Sequence, residues 1–479
     1  MKKLSKVMCL ILALTMIVSF AGCKKAKELD NSSDSSEISS EISSTVENTD
    51  GENSAIQNTS EIMNSSKPSS SSKPTVSAES GSWKALLQQM PSNLKGTTIE
   101  IFHWNPVSEL PNGKQVLSNF QKQTKIKVNW KVASYDNYDI ELQARVAAGK
   151  SPDVVLFQWM NVNRMKLCQP ISNVSFDFNN SVWDSELMKY YTVNGKTYAV
   201  NMNGTYLNRP AAVMYNKNLI EKYEYEDPYT LWKQGKWTES KFMEMCKDFK
   251  RKTNSPAWVV SKYDVWSLLL GLQCELSFNN GKYGNNLKDT RAVTAWQRGA
   301  ELFNSGLVDR SWDMNGFESG KYLFMDTSLM YTRTTQPYFS DMKSSGTLGV
   351  VPFFTIEGQS TQYQLMSEYE AYGFAKGAKN TTAAAYFLRY YLDPESYNSK
   401  TFFFSEQAKE VYEYSMKQPN RIMHNRFPLG GGNSQSPIAD VRLALQAATP
   451  DQVPTVLNKY MSVVDACVID LNNRLSELS

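Results

Sequence analysis

Thr98-Ile99-Glu100-Ile101-Phe102-His103, Ile126-Lys127-Val128-Asn129-Trp130-Lys131-Val132 and Asp153-Val154-Val155-Leu156-Phe157 are three short β-forming stretches, and what separates them decides the fold. Between the first two, Pro111 to Thr124 reads as a helix with Val116, Leu117 and Phe120 on one face. Between the second and third, Tyr138, Leu142 and Val146 recur at helical spacing before Gly149. Strand, helix, strand, helix, strand predicts parallel βαβ units with right-handed crossovers.

A second α/β region begins near Ala211. Trp237-Thr238 precedes a helix carrying Phe242, Met245, Cys246 and Phe249. Asp289-Thr290 starts another, with Val293, Trp296, Ala300 and Phe303 inward. Thr347 to Val351 is a strand stopped by Pro352. Gln452 to Leu475 is a long helix whose stripe (Val453, Val456, Leu457, Tyr460, Val463, Val464, Cys467, Val468, Leu471) faces a core. Two bodies are needed, because a single core stops growing beyond about 250–300 residues.

Upstream, the chain is built differently. Residues 1–22 carry three lysines and no acids, and Val7 to Phe20 is an apolar run too short for a membrane span. This is the layout of a secretory signal, 1–22. It ends Ser19-Phe20-Ala21-Gly22-Cys23, which resembles a bacterial lipobox despite Phe20 in place of the usual leucine. That resemblance implies a lipidated Cys23 and an anchor at the extracellular face of the cell membrane; an ordinary cleaved signal is the other reading. Residues 23–82 are then a lipidated cysteine plus a disordered tether. Eighteen of the fifty residues from Asn31 to Ser80 are serine, and no aromatic residue occurs from Lys24 to Ser82. Such a stretch buries too little apolar surface to offset the entropy of ordering.

The net charge of +3 is a sum over these unlike parts: +3 in the signal, −5 in the tether and +5 in the body, where all 11 tryptophans lie. It excludes a dedicated nucleic-acid binder, which needs a basic stripe. Two histidines, His103 and His424, leave little for a metal site, so no metal and no cofactor is expected. Cys168, Cys246, Cys274 and Cys467 are too few for a disulfide framework, although Cys168 and Cys274 could pair. Gly149-Lys150-Ser151 lacks the first glycine of a P-loop and ends a helix instead of opening one. No catalytic motif occurs, and no enzyme is expected. Gly430-Gly431-Gly432 reads as a loop, and His103 as a strand-end histidine with a satisfied hydrogen bond. Glu368 and Glu370 are the best acid/base pair on offer, about 7 Å apart if on one face of a strand.

Seven segments, in order, resemble the extracellular solute-binding proteins of ABC transporters, in the branch that mostly takes up sugars. They are Ile101-Phe102-His103-Trp104, Gln143 to Val155, Asn194 to Val200 (with Asn201 for the usual proline), Val213 to Leu219, Phe317 to Lys321, Leu348 to Pro352, and Ala378 to Glu395. The resemblance implies a two-lobed α/β fold of the type II periplasmic-binding-protein kind, with a hinge and an interlobe cleft. Its hinges would lie near Asn203–Ala212 and Leu365–Tyr372. Lobe one would be 95–207 with 370–415, and lobe two 208–369 with 416–479. It further implies a monomer that clasps a carbohydrate by lobe closure and is read by the transmembrane subunits of an ABC permease.

A sugar offers an apolar face to aromatic rings and hydroxyls to Asn, Asp, Glu, Arg and Gln. Loop aromatics beside such residues are therefore the expected ligand contacts. Trp104-Asn105 leaves the first strand, and Gln158-Trp159 with Asn161 leaves the third, at the strand ends where α/β sheets bind ligands. Trp104 and Trp159 are the expected stacking platforms, a core or lid position being the other reading for each. Asn203 and Tyr206 lie at the proposed hinge, Asp264 and Trp266 open a helix, and Arg333 and Gln336 follow a buried-type strand. Glu368, Glu370 and Tyr372 adjoin the return hinge. Trp296 is a helix-core residue, and Trp312 fits either reading. A cell-surface glycoside hydrolase and a non-closing polysaccharide adhesion module remain the alternatives.

Overall fold

Among the described residues, sixteen strands form two sheets and two hairpins. In chain order they are β1 (Thr98–His103), β2 (Lys127–Val132), β3 (Val154–Phe157), β4 (Cys168–Gln169), β5 (Thr192–Val193), β6 (Lys196–Thr197), β7 (Arg209–Asn216), β8 (Trp258–Val259), β9 (Leu276–Asn279), β10 (Lys282–Asn285), β11 (Val308–Asp309), β12 (Phe324–Ser328), β13 (Leu348–Val351), β14 (Gln364–Glu368), β15 (Ala371–Ala375) and β16 (Arg421–Met423). The structure is a computed structural model that describes residues 82–158, 160–260, 264–423 and 437–478, all within one compact unit. The signal, Cys23, the tether, Trp159, His424 and Gly430–Gly432 lie outside the described residues.

The first sheet has the order β2-β1-β3-β15-β4. β1 pairs in parallel with β2 and β3, as the βαβ pattern requires, while β15 returns antiparallel to β3. Val154 to Phe157 is buried on both faces, which is why it reads as an unbroken apolar run. Tyr138 ties two of these strands together. Its hydroxyl donates to the Phe102 carbonyl (2.8 Å) and accepts from the Leu156 amide (2.9 Å). Gly373 in β15 is required by close packing, since a Cβ there would stand 2.6 Å from the Tyr198 carbonyl and 2.7 Å from the Phe157 ring.

The second sheet runs β11-β8-β12-β7-β14-β16, with β13 also paired to β7. The long β7 is its backbone, antiparallel to β12, β13 and β14. The helix Glu239–Thr253 buries Phe242, Met245, Cys246 and Phe249, the expected face. Trp296 is buried in the helix Thr290–Asn304. Trp312 is 40% exposed.

Three differences from the sequence expectations have local causes. The helix expected from Pro111 starts at Gly113, because Asn112 takes a left-handed conformation (φ 58°) that cannot continue a helix. Cys168 and Cys274 do not pair: all four described cysteines are buried thiols, and these two lie in separate clusters, Cys168 in that of the first sheet and Cys274 in that of the second. The C-terminal helix spans Val453–Ser476, but its buried stripe is narrower than the apolar pattern, with Val463 36% exposed.

The chain passes between the sheets at three places. Residues 201–208 lead into β7. Only Tyr369 and Glu370 separate β14 in the second sheet from β15 in the first. Phe403 then bridges to Arg333, and the helix Glu406–Lys417 packs on the second sheet, where Gln407 donates to the Val350 carbonyl (2.9 Å). Most of that helix falls within the 370–415 segment that the sequence assigns to lobe one. The C-terminal helix and the residues just after it meet both bodies: Asn472 exchanges hydrogen bonds with Tyr283, and the Tyr198 hydroxyl donates to the Leu478 carbonyl at 2.6 Å. Among the described residues, no helix is long and apolar enough to cross a membrane.

Candidate binding site at the hinge

Two of the three chain segments that pass between the sheets, 201–208 and 369–370, are joined by side chains. Asn201 and Asn208 bond each other (2.9 and 3.2 Å), and together they grip Glu370. Asn201 Nδ2 donates to the Glu370 carbonyl (2.8 Å), and Asn208 Oδ1 accepts from the Glu370 amide (3.2 Å). Asn201 stands where the resembling family has proline, and a proline could make none of these side-chain bonds.

Arg209, the first residue of β7, reaches both hinge carboxylates. Its Nη1 lies 2.5 Å from Glu368 and its Nη2 2.7 Å from Glu370. Glu368 and Glu370 thus converge on one guanidinium. Tyr372 adds a hydroxyl donor to Glu370 at 3.1 Å, and His103 Nε2 stands 3.8 Å away. The Asn105 amide donates to His103 Nδ1 (2.7 Å), which assigns the imidazole proton to Nε2, facing Glu370. Burial disfavours the Glu370 carboxylate, but Arg209, then His103 and Arg333, outweigh it and hold its pKa at about 2. A carboxylate held that low has no proton to give near neutrality, so Glu370 does not suit the general-acid role of a glycosidase.

Arg333 is buried and fixed by the carbonyls of Tyr206 (3.2 Å) and Leu207 (2.9 Å), with the Phe402 ring 5.6 Å from its guanidinium carbon. Burial, and next the charge of Arg209, lower its pKa. His103, Asn105, Glu109, Arg209, Arg333, Gln336 and Glu370 line one cavity, with Trp130, Met330 and Tyr391 as its apolar wall. The loop after β1 and the loop after β12 close over it, and Thr335 donates to the Glu109 carbonyl (2.6 Å). The free space left is about 10 Å³, the room of roughly one water.

The other expected contacts have different surroundings. Trp104 is 9% exposed and packs edge-on against Tyr135 and Tyr138, with the Arg164 guanidinium 5.2 Å from its ring. Gln158 is buried at the end of β3, with a buried Oε1 that has no partner. Asn161 caps the helix Val162–Lys166 and donates to Asp139. Asn203 holds the carbonyls of Ser181 and Trp183. Tyr206 packs among Phe402, Phe403 and Tyr412. Trp266 lies in the core of the second body, 5.8 Å from Phe354. Asp264 opens the helix Asp264–Leu269; its side chain, like Trp159, lies outside the described residues.

Sequence reasoning missed Arg209, Trp130, Met330 and Tyr391. Arg209 had a signal, a lone arginine ahead of the apolar run 210–215 at the proposed crossover. Trp130 had none, since a tryptophan in a strand reads as core; here its indole donates to the Asn105 carbonyl at 2.9 Å. Among the described residues no group of three or more His, Cys, Asp or Glu is placed to hold a metal ion.

The fold recurs in solved structures at low identity. A cyclo/maltodextrin-binding protein in complex with maltotetraose matches with a TM-score of 0.59 at 16% identity, over 79% of this chain and 98% of its own. The GacH receptor of Streptomyces glaucescens, solved unliganded and with acarbose, matches at 0.54 and 16%, over 77% and 98%. The cyclic α-maltosyl-1,6-maltose-binding protein of Arthrobacter globiformis matches at 0.55 and 12%, over 80% and 98%. No curated protein matches. The family model for bacterial extracellular solute-binding proteins matches residues 115–403, more than half of the chain. With two α/β bodies, a hinge of crossing strands and a polar cavity beside it, the chain belongs to the bacterial extracellular solute-binding protein family.

Proposed function

We propose that this chain is the lipid-anchored binding component of an ABC importer, and that it captures a carbohydrate, an oligosaccharide, by closing its lobes over it. The observation that carries this is the hinge cavity. Asn105 comes from one body, Arg333 and Gln336 from the other, and Glu370 from the two-residue link between β14 and β15. Planar donors and acceptors beside aromatic rings suit sugar hydroxyls and sugar faces. With room for about one water, the cavity admits a sugar only if the lobes part, so binding and closure are linked. We assign the ligand contacts to Asn105, Arg333, Gln336 and Glu370, with Trp130 and Tyr391 as the apolar wall. Glu368, Tyr372 and Arg209 then hold Glu370 in place.

In this proposal Cys23 carries the acyl chains, and the serine-rich tether holds the body off the membrane. More than one chain gives stable anchoring, at about 0.8 kcal/mol per buried methylene. We keep the division into lobe one (95–207 with 370–415) and lobe two (208–369 with 416–479) but place the last crossing before Glu406, a choice supported by the packing of Glu406–Lys417 on the second sheet. The monomer presents the closed form to the permease.

The test is calorimetric titration with a panel of neutral oligosaccharides, followed by product analysis. Tight binding without turnover is expected. Product formation would favour the glycoside hydrolase, and binding to polymer alone the adhesion module.

A further inference from the structure

Tyr369 lies between Glu368 and Glu370, and successive side chains of an extended chain point to opposite faces. The two carboxylates reach Arg209, whereas the Tyr369 ring packs toward Tyr190, with centroids 6.2 Å apart. On that opposite face lies a second cavity of about 630 Å³. This is inside the range of roughly 300–1,000 Å³ typical of small-ligand sites, and far larger than the closed cavity by Arg209.

Two hairpins form its mouth. The turn of β9–β10 abuts the β5–β6 hairpin so closely that a Cβ on Gly281, already at φ +74°, would stand 3.2 Å from the Thr192 carbonyl. Tyr190, half-buried, supplies aromatic surface with the buried Phe278 and Tyr369 also in the wall, and the exposed Asn194, Asn279 and Asn280 line the rim. The charges there are already matched. Asp184 holds Arg421 through two bonds (2.7 and 2.9 Å), and Glu186 pairs with Lys189 at 2.6 Å. An ion would therefore meet no uncompensated charge. One donor is left over: Arg421, whose side chain is 10% exposed, has a buried Nε with no partner.

We infer that this rear cavity is a second binding site, distinct from the hinge cavity, for a neutral polyhydroxylated ring of monosaccharide or disaccharide size. The half-buried Tyr190 ring offers aromatic surface to the C–H groups of such a ring, while the exposed carboxamides of Asn194, Asn279 and Asn280 serve its hydroxyls.

The test is an NMR titration of the full-length chain with glucose, xylose and maltose. It follows the side-chain amides of Asn194, Asn279 and Asn280 and the Arg421 Nε–H. At least one sugar should shift these signals saturably. Asn279→Trp, which fills the cavity from an exposed position, should weaken that binding at least tenfold, and Arg333→Met should leave it unchanged. Loss of the shifts in Arg333→Met with retention in Asn279→Trp would overturn the site. So would no shift with any of the three sugars at tens of millimolar. The wild-type signals decide the matter even if Asn279→Trp fails to fold. The proposed function fails separately, if no oligosaccharide binding depends on Arg333.

Discussion

Replacing Arg209 with methionine removes the only cation bonded directly to both hinge carboxylates among the described residues. Methionine keeps most of the length and can pack beside Met330, whose sulfur lies 3.6 Å from Arg209 Nη1. The change is therefore mainly one of charge. Glu370 is left buried with Glu368 close by. Breaking a buried ion pair by removing one partner costs about 3–5 kcal/mol, because the remaining charge is desolvated without compensation. The same geometry fixes a sign in pH. In the native protein Glu370 has its pKa lowered from 4.5 to about 2, so its stabilising contribution is present above pH 4.5 and is lost as pH falls toward 2. In Arg209→Met, burial without the arginine raises that pKa above its unfolded value, and the variant should regain stability as pH falls from 7 toward 5. Urea unfolding followed by tryptophan fluorescence at pH 7 and pH 5 measures both effects. Adding Glu370→Gln to Arg209→Met should recover part of the loss at pH 7. A loss below about 1 kcal/mol at pH 7, the value of an exposed pair, would refute the buried-pair account, as would a variant less stable at pH 5 than at pH 7.

Asn201→Ala removes the donor to the Glu370 carbonyl and leaves Asn208 half-paired, so about 1–3 kcal/mol should be lost. Hydrogen exchange at the Glu370 and Tyr372 amides should quicken accordingly, and unchanged protection would remove Asn201 from the hinge. Tyr138→Phe strips the shared hydroxyl from the Phe102 carbonyl and the Leu156 amide, and should cost a similar amount by urea titration without altering sugar affinity. Gly373→Ala should cost about 1–3 kcal/mol by overpacking against Tyr198 and Phe157, and a neutral result would contradict the close approach there.

The fold was legible where periodicity is a local property. Alternation at 98–103 and 126–132, and helical spacing in 242–249 and 290–303, needed no knowledge of distant residues. The lining of the hinge cavity was legible only in part, for a physical reason. Asn105, Arg333, Gln336 and Glu370 follow or precede strands and contrast in polarity with their neighbours, so sequence singled them out. Whether an aromatic residue faces a cleft or a core depends on elements far away in sequence. Trp104 meets Tyr135, Tyr138 and Arg164, and Trp266 meets Phe354, none of which its own neighbours announce. The same blindness hid Trp130, whose indole reaches across to Asn105. The rear cavity lay beyond sequence altogether, since it needs two Asn-Gly turns from separate bodies to meet.

The central claim is that a carbohydrate draws the two lobes together over the hinge cavity. The most direct measurement is the distance between spin labels on Lys122 in the helix Gly113–Thr124 and Lys247 in the helix Glu239–Thr253, both exposed. The four described cysteines are buried and leave the introduced sites as the reactive ones in that body. With the tightest-binding oligosaccharide of the panel at saturation, the account predicts one narrow distance population, shorter than the mean without sugar. An identical distribution with and without saturating sugar would contradict it.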